Sequence, residues 1–279
     1  LVLPELPEVE TVCRGLNQLT LDSKIQGGEV LLPRTLAYPV SPQQFLEQIQ
    51  GQKIAFWSRR GKYLLAHLAE NQAFLVVHLR MTGQLLWLSQ NASLQKHTRI
   101  RLFFAHGQEL RFVDTRTFGK MWWVNGQNPE TVITGLQKLG LEPFDPGFNN
   151  NYLAQKLQKS KRLLKTLLLD QEFVAGIGNI YADEALFVSG LHPQAIASSL
   201  TSLQVDQLRQ AIITVLEKAI ASGGTTFSDF LQVTGVNGNY GGIAWVYGRT
   251  GQPCRVCETP IEKVKIGGRS SHYCPNCQK

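Results

Sequence analysis

A chain of 279 residues is long enough to form two compact units, and 43% hydrophobic residues without an apolar run near twenty read as soluble and globular rather than membrane-spanning. The formal charge of +7 and isoelectric point near 9.2 favour a polyanionic partner over an acidic one, with position along the chain deciding how much weight the excess carries.

Pro7 followed by Glu8 and Glu10 marks a helix start, and Val9, Val12, Leu16 and Leu19 fall on one face of the helix they begin. Next come short segments rich in β-branched and aromatic residues, at 73–79, 99–104, 109–113 and 121–124. Polar or Gly-containing turns separate them, which predicts an antiparallel sandwich or barrel. Between Asn125 and Asn151 the chain turns rich in Asn, Gly and Pro and strand patterning stops, so a domain boundary is expected there. Helical patterns resume at 152–157, 163–169, 181–188 and 202–221, the last ended by Gly223 and Gly224.

No acidic residue lies between Pro146 and Leu169, while Lys156, Lys159, Lys161, Arg162 and Lys165 crowd together there, a pattern suited to phosphate. From Val233 to Gly242 a Gly- and Asn-rich stretch around Tyr240 has the composition of a mobile loop or a linker. Cys254, Cys257, Cys274 and Cys277 then form two C-x-x-C pairs, a spacing that suits two knuckles closing on one tetrahedral, structural zinc ion. Two disulfides are the alternative. Against them, Cys13 is the chain's one further cysteine and no secretory segment is evident. The segment stays basic: Arg249, Arg255, Lys263, Lys265, Arg269 and Lys279 stand against Glu258 and Glu262.

Six motifs occur in order. They are Pro4-Glu5-Leu6-Pro7-Glu8-Val9-Glu10-Thr11, Arg60-Gly61-Lys62-Tyr63, His78-Leu79-Arg80-Met81-Thr82-Gly83, Asp114-Thr115-Arg116-Thr117-Phe118-Gly119, Gly176-Ile177-Gly178-Asn179 and Val246-Tyr247-Gly248-Arg249 before the cysteines. Together the chain resembles the formamidopyrimidine-DNA glycosylases, bacterial base-excision repair enzymes, from Pro4 to Lys279. The resemblance implies a two-domain α+β fold: an N-terminal β-sandwich flanked by helices, then a helix–two-turns–helix domain with a four-cysteine zinc ribbon. Combined with the composition boundaries it gives a catalytic domain over 1–130, a linker over 131–150, the helical DNA-binding domain over 151–232, a Gly-rich lesion-recognition loop over 233–245 and the ribbon over 246–279.

It also implies the chemistry: excision of 8-oxoguanine and formamidopyrimidines from duplex DNA, then strand cleavage at the abasic site by β,δ-elimination, with no membrane role. The partner is double-stranded DNA containing oxidised bases or abasic sites. A monomer in the bacterial cytoplasm, at the nucleoid, is expected. By resemblance Pro4 is the nucleophile, suited because an α-amino group titrates near 8 and is partly neutral at cellular pH. Glu5 handles protons at the sugar, Lys62 contacts phosphate and donates a proton near the elimination, and Arg269 grips phosphates beside the flipped site. Met81, Arg116 and Phe118 fill the gap left by the flipped nucleotide, and arginine suits a widowed cytosine. His97, Lys161, Lys165, Asn179 and Tyr240 contact DNA.

Two departures matter. Thr117 stands where a second arginine is common. Leu1-Val2-Leu3 precede Pro4 and would make its nitrogen a tertiary amide, so the mature chain is expected to begin at Pro4, with Leu3 standing for a UUG start codon. Otherwise the chain is a non-catalytic binder of damaged DNA. An endonuclease VIII-like enzyme for oxidised pyrimidines is the other alternative. A zinc-ribbon transcription factor would account for the cysteines and leave the first two hundred residues unexplained.

Overall fold

The structure is a computed structural model that describes residues 3–69, 72–225, 233 and 238–279. Two compact units result, Leu1–Gln137 with Gly223–Asn239, and Lys138–Ser222 with Tyr240–Lys279.

The first unit opens with helix α1 (Leu6–Thr20), whose Val9, Val12, Cys13 and Leu16 are buried at helical spacing. Its strands are β1 (Ile25–Val30), β2 (Leu36–Tyr38), β3 (Ile54–Arg60), β4 (Tyr63–Leu68), β5 (Phe74–His78), β6 (Gly83–Ser89), β7 (Thr98–Phe104), β8 (Gln108–Asp114) and β9 (Lys120–Val124), with helix α2 (Pro42–Ile49) between β2 and β3. They build two sheets, in the orders β1-β7-β8-β6 and β2-β9-β5-β4-β3. All pairings are antiparallel except β2 with β9.

Strand β7 shows why the pattern folds this way. Thr98, Ile100, Leu102 and Phe104 are buried and the residues between them half-exposed, the period-two signature of a sheet with one face on a core. Ile25, Ile100, Leu85 and Phe112 from one sheet and Trp57, Leu75, Val77 and Trp123 from the other share a single apolar core with α1. Each such side chain contributes about 1.5–3 kcal/mol of burial. On the α1 side, the Asn17 side chain behaves as a short stretch of strand, accepting the Trp57 N–H at 2.8 Å and donating to its C=O at 2.8 Å.

Short helices α3 (Pro129–Val132) and α4 (Thr134–Gln137) close this stretch, with Ile133 and Leu136 buried. Part of the expected 131–150 linker therefore belongs to the first unit. The remainder packs in the second, where Phe148 is buried.

The second unit contains α5 (Asn150–Gln158), α6 (Leu164–Leu168), α7 (Asn179–Val188) and α8 (Ser202–Ala221). Reciprocal hydrogen bonds between Thr201 and Gln204 set the α8 start, and its bounds coincide with the expected ones. A helical turn α9 (Tyr240–Ile243) precedes the hairpin of β10 (Glu262–Ile266) and β11 (Arg269–Tyr273). The Gly-rich loop expected over 233–245 is divided: 234–237 lie outside the described residues, Val233 is buried in the first unit, and Tyr240 belongs to the second. Among the described residues no helix is long and apolar enough to cross a membrane.

Candidate functional site

Pro4 and Glu5 stand at the buried start of α1. Glu8 sits one turn in, fully buried, and its carboxylate accepts the Glu5 N–H at 2.9 Å and the Thr225 N–H at 2.8 Å. Gly224, at φ +75°, passes so close that an added Cβ would stand 2.9 Å from a Glu8 oxygen. Only glycine fits both the conformation and the space. Glu8 thus ties the helix start to a segment more than two hundred residues away. Leu1 and Val2 lie outside the described residues.

Lys62 is half-buried in the turn joining β3 to β4. The neighbouring Arg59 donates from Nη1 to the Gly61 carbonyl (3.1 Å) and from Nε to Glu10 of α1 (3.0 Å). Burial works to raise the Glu10 carboxyl, but hydrogen bonds and charge from Arg14 and Arg59 outweigh it and hold it below the ordinary range. His78 is shifted by burial first, then by the nearby Arg80 and Lys62 charges, which together push its imidazole down to about 3. It is a neutral ring whose Nδ1 accepts the Arg80 N–H at 3.0 Å.

Arg116 and Phe118 project from the turn between β8 and β9, Phe118 being 50% exposed with the Arg116 guanidinium 5.1 Å above its ring. Buried Asp114 organises this turn, accepting the Gly119 N–H (2.8 Å), the Arg116 N–H (3.2 Å) and the Thr82 hydroxyl, which belongs to the turn after half-buried Met81. Asp114 also reaches His97. Arg99 donates to the Asp114 carbonyl at 2.7 Å and meets His97 Nδ1 at 3.1 Å, while the Asp114 N–H bonds the His97 carbonyl. Met81, His97, Arg116 and Phe118 are thereby tied to one aspartate that sequence reasoning did not single out. Its signal was a glycine five residues on, at the end of a strand.

In the second unit Lys161 is exposed, and Asn179 opens α7 with its side chain donating to the Ser270 carbonyl at 3.0 Å. Arg269, exposed at the start of β11, is next to that anchor point. Two expectations need correction. Lys165 is fully buried, paired with Asp183 and donating to the Asn179 carbonyl at 2.9 Å, so it cannot reach a phosphate. Tyr240 is also buried, its ring edge-on to Tyr181 and its hydroxyl 3.3 Å from Glu184, so it packs in the unit rather than closing over a ligand. Both were misassigned because their buried acidic partners lie on α7, distant in sequence.

Asp183 and Glu184 together moor the chain on either side of the first zinc-binding knuckle, Cys254 to Cys257. Asp183 accepts the His272 N–H at 2.9 Å. Glu184 accepts the N–H groups of Trp245, Val246 and Tyr247 at 2.7–2.9 Å. Burial raises the Glu184 carboxyl despite those three donors.

The four cysteines fit zinc. Their sulfurs all lie within 4.8 Å of one another, with separations of 3.9, 3.5 and 3.4 Å for Cys254–Cys277, Cys257–Cys274 and Cys257–Cys277. A tetrahedron with Zn–S near 2.3 Å has edges of about 3.8 Å. None of these separations approaches the roughly 2.05 Å of a disulfide bond, so the disulfide alternative is set aside.

Comparison with known proteins agrees with this layout. Residues 3–121 match the profile "Formamidopyrimidine-DNA glycosylase N-terminal domain", 139–230 the "Formamidopyrimidine-DNA glycosylase H2TH domain" and 251–279 the "Zinc finger found in FPG and IleRS". The formamidopyrimidine-DNA glycosylase of Crocosphaera subtropica is 65% identical over 277 residues, 99% of this chain and 98% of that one; the Rippkaea orientalis protein is 62% identical, covering 99% and 100%. Among solved structures, Lactococcus lactis Fpg with abasic-site DNA has a TM-score of 0.90 at 34% identity, covering 99% of both chains. The same protein with oxidised-pyrimidine DNA also has a TM-score of 0.90, at 35% identity and coverage of 99% and 100%. With its three domains matched in order and full-length relatives this similar, the chain belongs to the formamidopyrimidine-DNA glycosylase family.

Proposed function

We propose that this protein is a bifunctional DNA glycosylase and abasic-site lyase that removes oxidised purines, 8-oxoguanine and formamidopyrimidines, from duplex DNA. The observation that carries the reading is the full-length similarity to formamidopyrimidine-DNA glycosylases, with Pro4 and Glu5 at the buried start of α1.

In this reading the Pro4 amine attacks C1′ of the extruded nucleotide, and the base departs with the electron pair of the glycosidic bond and a proton. The C1′–O4′ bond then breaks, O4′ leaving with its electron pair and taking up a proton while the nitrogen lone pair forms an iminium; this acidifies the C2′ proton, whose loss expels the 3′ phosphate, and a second elimination expels the 5′ phosphate. Glu5 moves protons at the ring oxygen, and Lys62, whose neighbour His78 stays neutral, contacts phosphate and serves the elimination. Met81, Arg116 and Phe118 occupy the gap in the duplex. His97, Lys161, Asn179 and Arg269 hold phosphates, and the zinc-bound cysteines keep the Arg269 hairpin rigid. Attack requires a secondary amine, so the working chain begins at Pro4. We further propose a monomer acting on DNA in the bacterial cytoplasm.

Borohydride trapping tests the reading. A covalent adduct with 8-oxoguanine duplex DNA is expected, absent in Pro4→Gly. Tight binding without an adduct would replace the enzyme by a non-catalytic binder, and intact mass would show whether Pro4 is terminal. Because a similar protein has been solved with oxidised-pyrimidine DNA, turnover of thymine-glycol duplexes belongs in the same experiment.

A further inference from the structure

The turn that carries Arg116 and Phe118 includes a residue in an unfavourable conformation. Thr117 sits at φ +60°, the left-handed region that a β-branched residue enters only when its surroundings hold it there. Asp114 brackets it through the Arg116 and Gly119 N–H groups. The Thr117 hydroxyl itself is met from elsewhere in the chain: exposed Arg34, 83 residues earlier, donates from Nη2 to Thr117 Oγ1 at 2.9 Å.

Arg34 is well placed for such a prop. Its backbone lies in the 3-10 turn Pro33–Thr35, just after Leu31 and Leu32, whose N–H groups both bond the Arg99 carbonyl at 2.9 and 3.1 Å. Its own carbonyl accepts from Lys120 Nζ at 2.6 Å, on the far side of the Phe118 turn. With the base fixed at both ends, the guanidinium reaches Thr117 at a reduced entropic cost for a long side chain. Arg99 in turn contacts Asp114 and His97, so the Pro33–Thr35 turn and the Phe118 turn rest on the same strand β7.

We propose that Arg34 is a positioning residue for the Arg116–Phe118 wedge and thereby sets discrimination between cytosine and adenine opposite the lesion. The inference rests on the proposed glycosylase function, in which Arg116 and Phe118 enter the duplex. Arg34 touches neither the damaged base nor the sugar; it acts through the Thr117 hydroxyl on the presentation of the two side chains that flank it.

The test compares single-turnover rates of wild type, Arg34→Ala, Thr117→Ala and the double variant on three substrates: 8-oxoguanine opposite cytosine, 8-oxoguanine opposite adenine, and a single strand bearing an abasic site. The single strand has no gap to fill and no partner base. Both single variants are expected to lose about fivefold in the cytosine-over-adenine ratio, the scale of one hydrogen bond. Cleavage of the single strand should stay within about twofold, and the double variant should match the single ones, since they remove one shared contact. Equal loss on all three substrates, an unchanged ratio, or additive effects in the double variant would overturn the proposal. A thermal midpoint for each variant separates misfolding from the first of these. Wild-type protein that cleaves none of the substrates would overturn the glycosylase reading, and this inference with it.

Discussion

At neutral pH His78 is an uncharged ring close to two cations, and that has an acid-stability consequence. Its folded-state pKa of about 3 lies below the ordinary 6.5, so the unfolded chain binds more protons between those values. The stability tied to the neutral ring is complete above pH 6.5 and declines as pH falls, by about 4 kcal/mol at pH 3.5 as an upper limit. The wild-type thermal midpoint should drop across that window, and His78→Gln, which has no such group to protonate, should show a shallower drop. Parallel curves would remove His78 from the acid response. Lys165 offers a second test at this scale. As a buried partner of Asp183 it should matter for folding: Lys165→Met is expected to cost about 3 kcal/mol in denaturant unfolding. Lys161→Ala should instead leave stability unchanged and lower the slope of DNA affinity against salt by about one charge. A salt slope altered by Lys165→Met in a stably folded protein would restore Lys165 as a phosphate contact.

At the scale of elements, α7 ties several separate segments together. Gly178 caps it, Asn179 holds the Ser270 carbonyl, Asp183 holds Lys165 and His272, and Glu184 holds three consecutive N–H groups before the ribbon. Glu184→Gln keeps one acceptor oxygen for three donors and should cost about 1–3 kcal/mol, with the 245–247 turn losing amide protection in hydrogen exchange. Unchanged protection there would show that the turn is held by its own packing. The elements best legible in the sequence were those with internal periodicity. Helix α8 and strand β7 repeat their apolar residues at 3.6 and 2 and were placed closely. Strand β1, with Gly27 and Gly28 inside Ile-Gln-Gly-Gly-Glu-Val, carries no such alternation and was not anticipated. Burial of Lys165 and Tyr240 depended on partners brought in by the chain's turns, which spacing does not encode. Asp114 was visible as part of a motif, but its job of holding several backbone and side-chain groups together emerges only in three dimensions.

For the molecule as a whole, the assignments divide between the units: Pro4, Glu5, Lys62 and the wedge residues belong to one, while Arg269 and the cysteines belong to the other. Cys274→Ser should release zinc and abolish DNA binding by unfolding the ribbon, whereas Arg269→Ala should weaken binding with one zinc per chain retained by metal analysis. Zinc loss in the Arg269 variant would mean that contact and scaffold are not separable. Calibrated against salt, the two variants also distinguish loss of a fold from loss of a charge.

The hydrogen bond from the Thr225 amide to Glu8 spans 217 residues, and the first unit regains the chain only at 223–239. During synthesis the ribosome must therefore deliver nearly the whole polypeptide before the start of α1 acquires its final partner. Until then the Glu8 carboxylate lacks the Thr225 donor. The start of α1 is thus translated early and completed late, and the helix must pack without its Thr225 bond until that segment emerges.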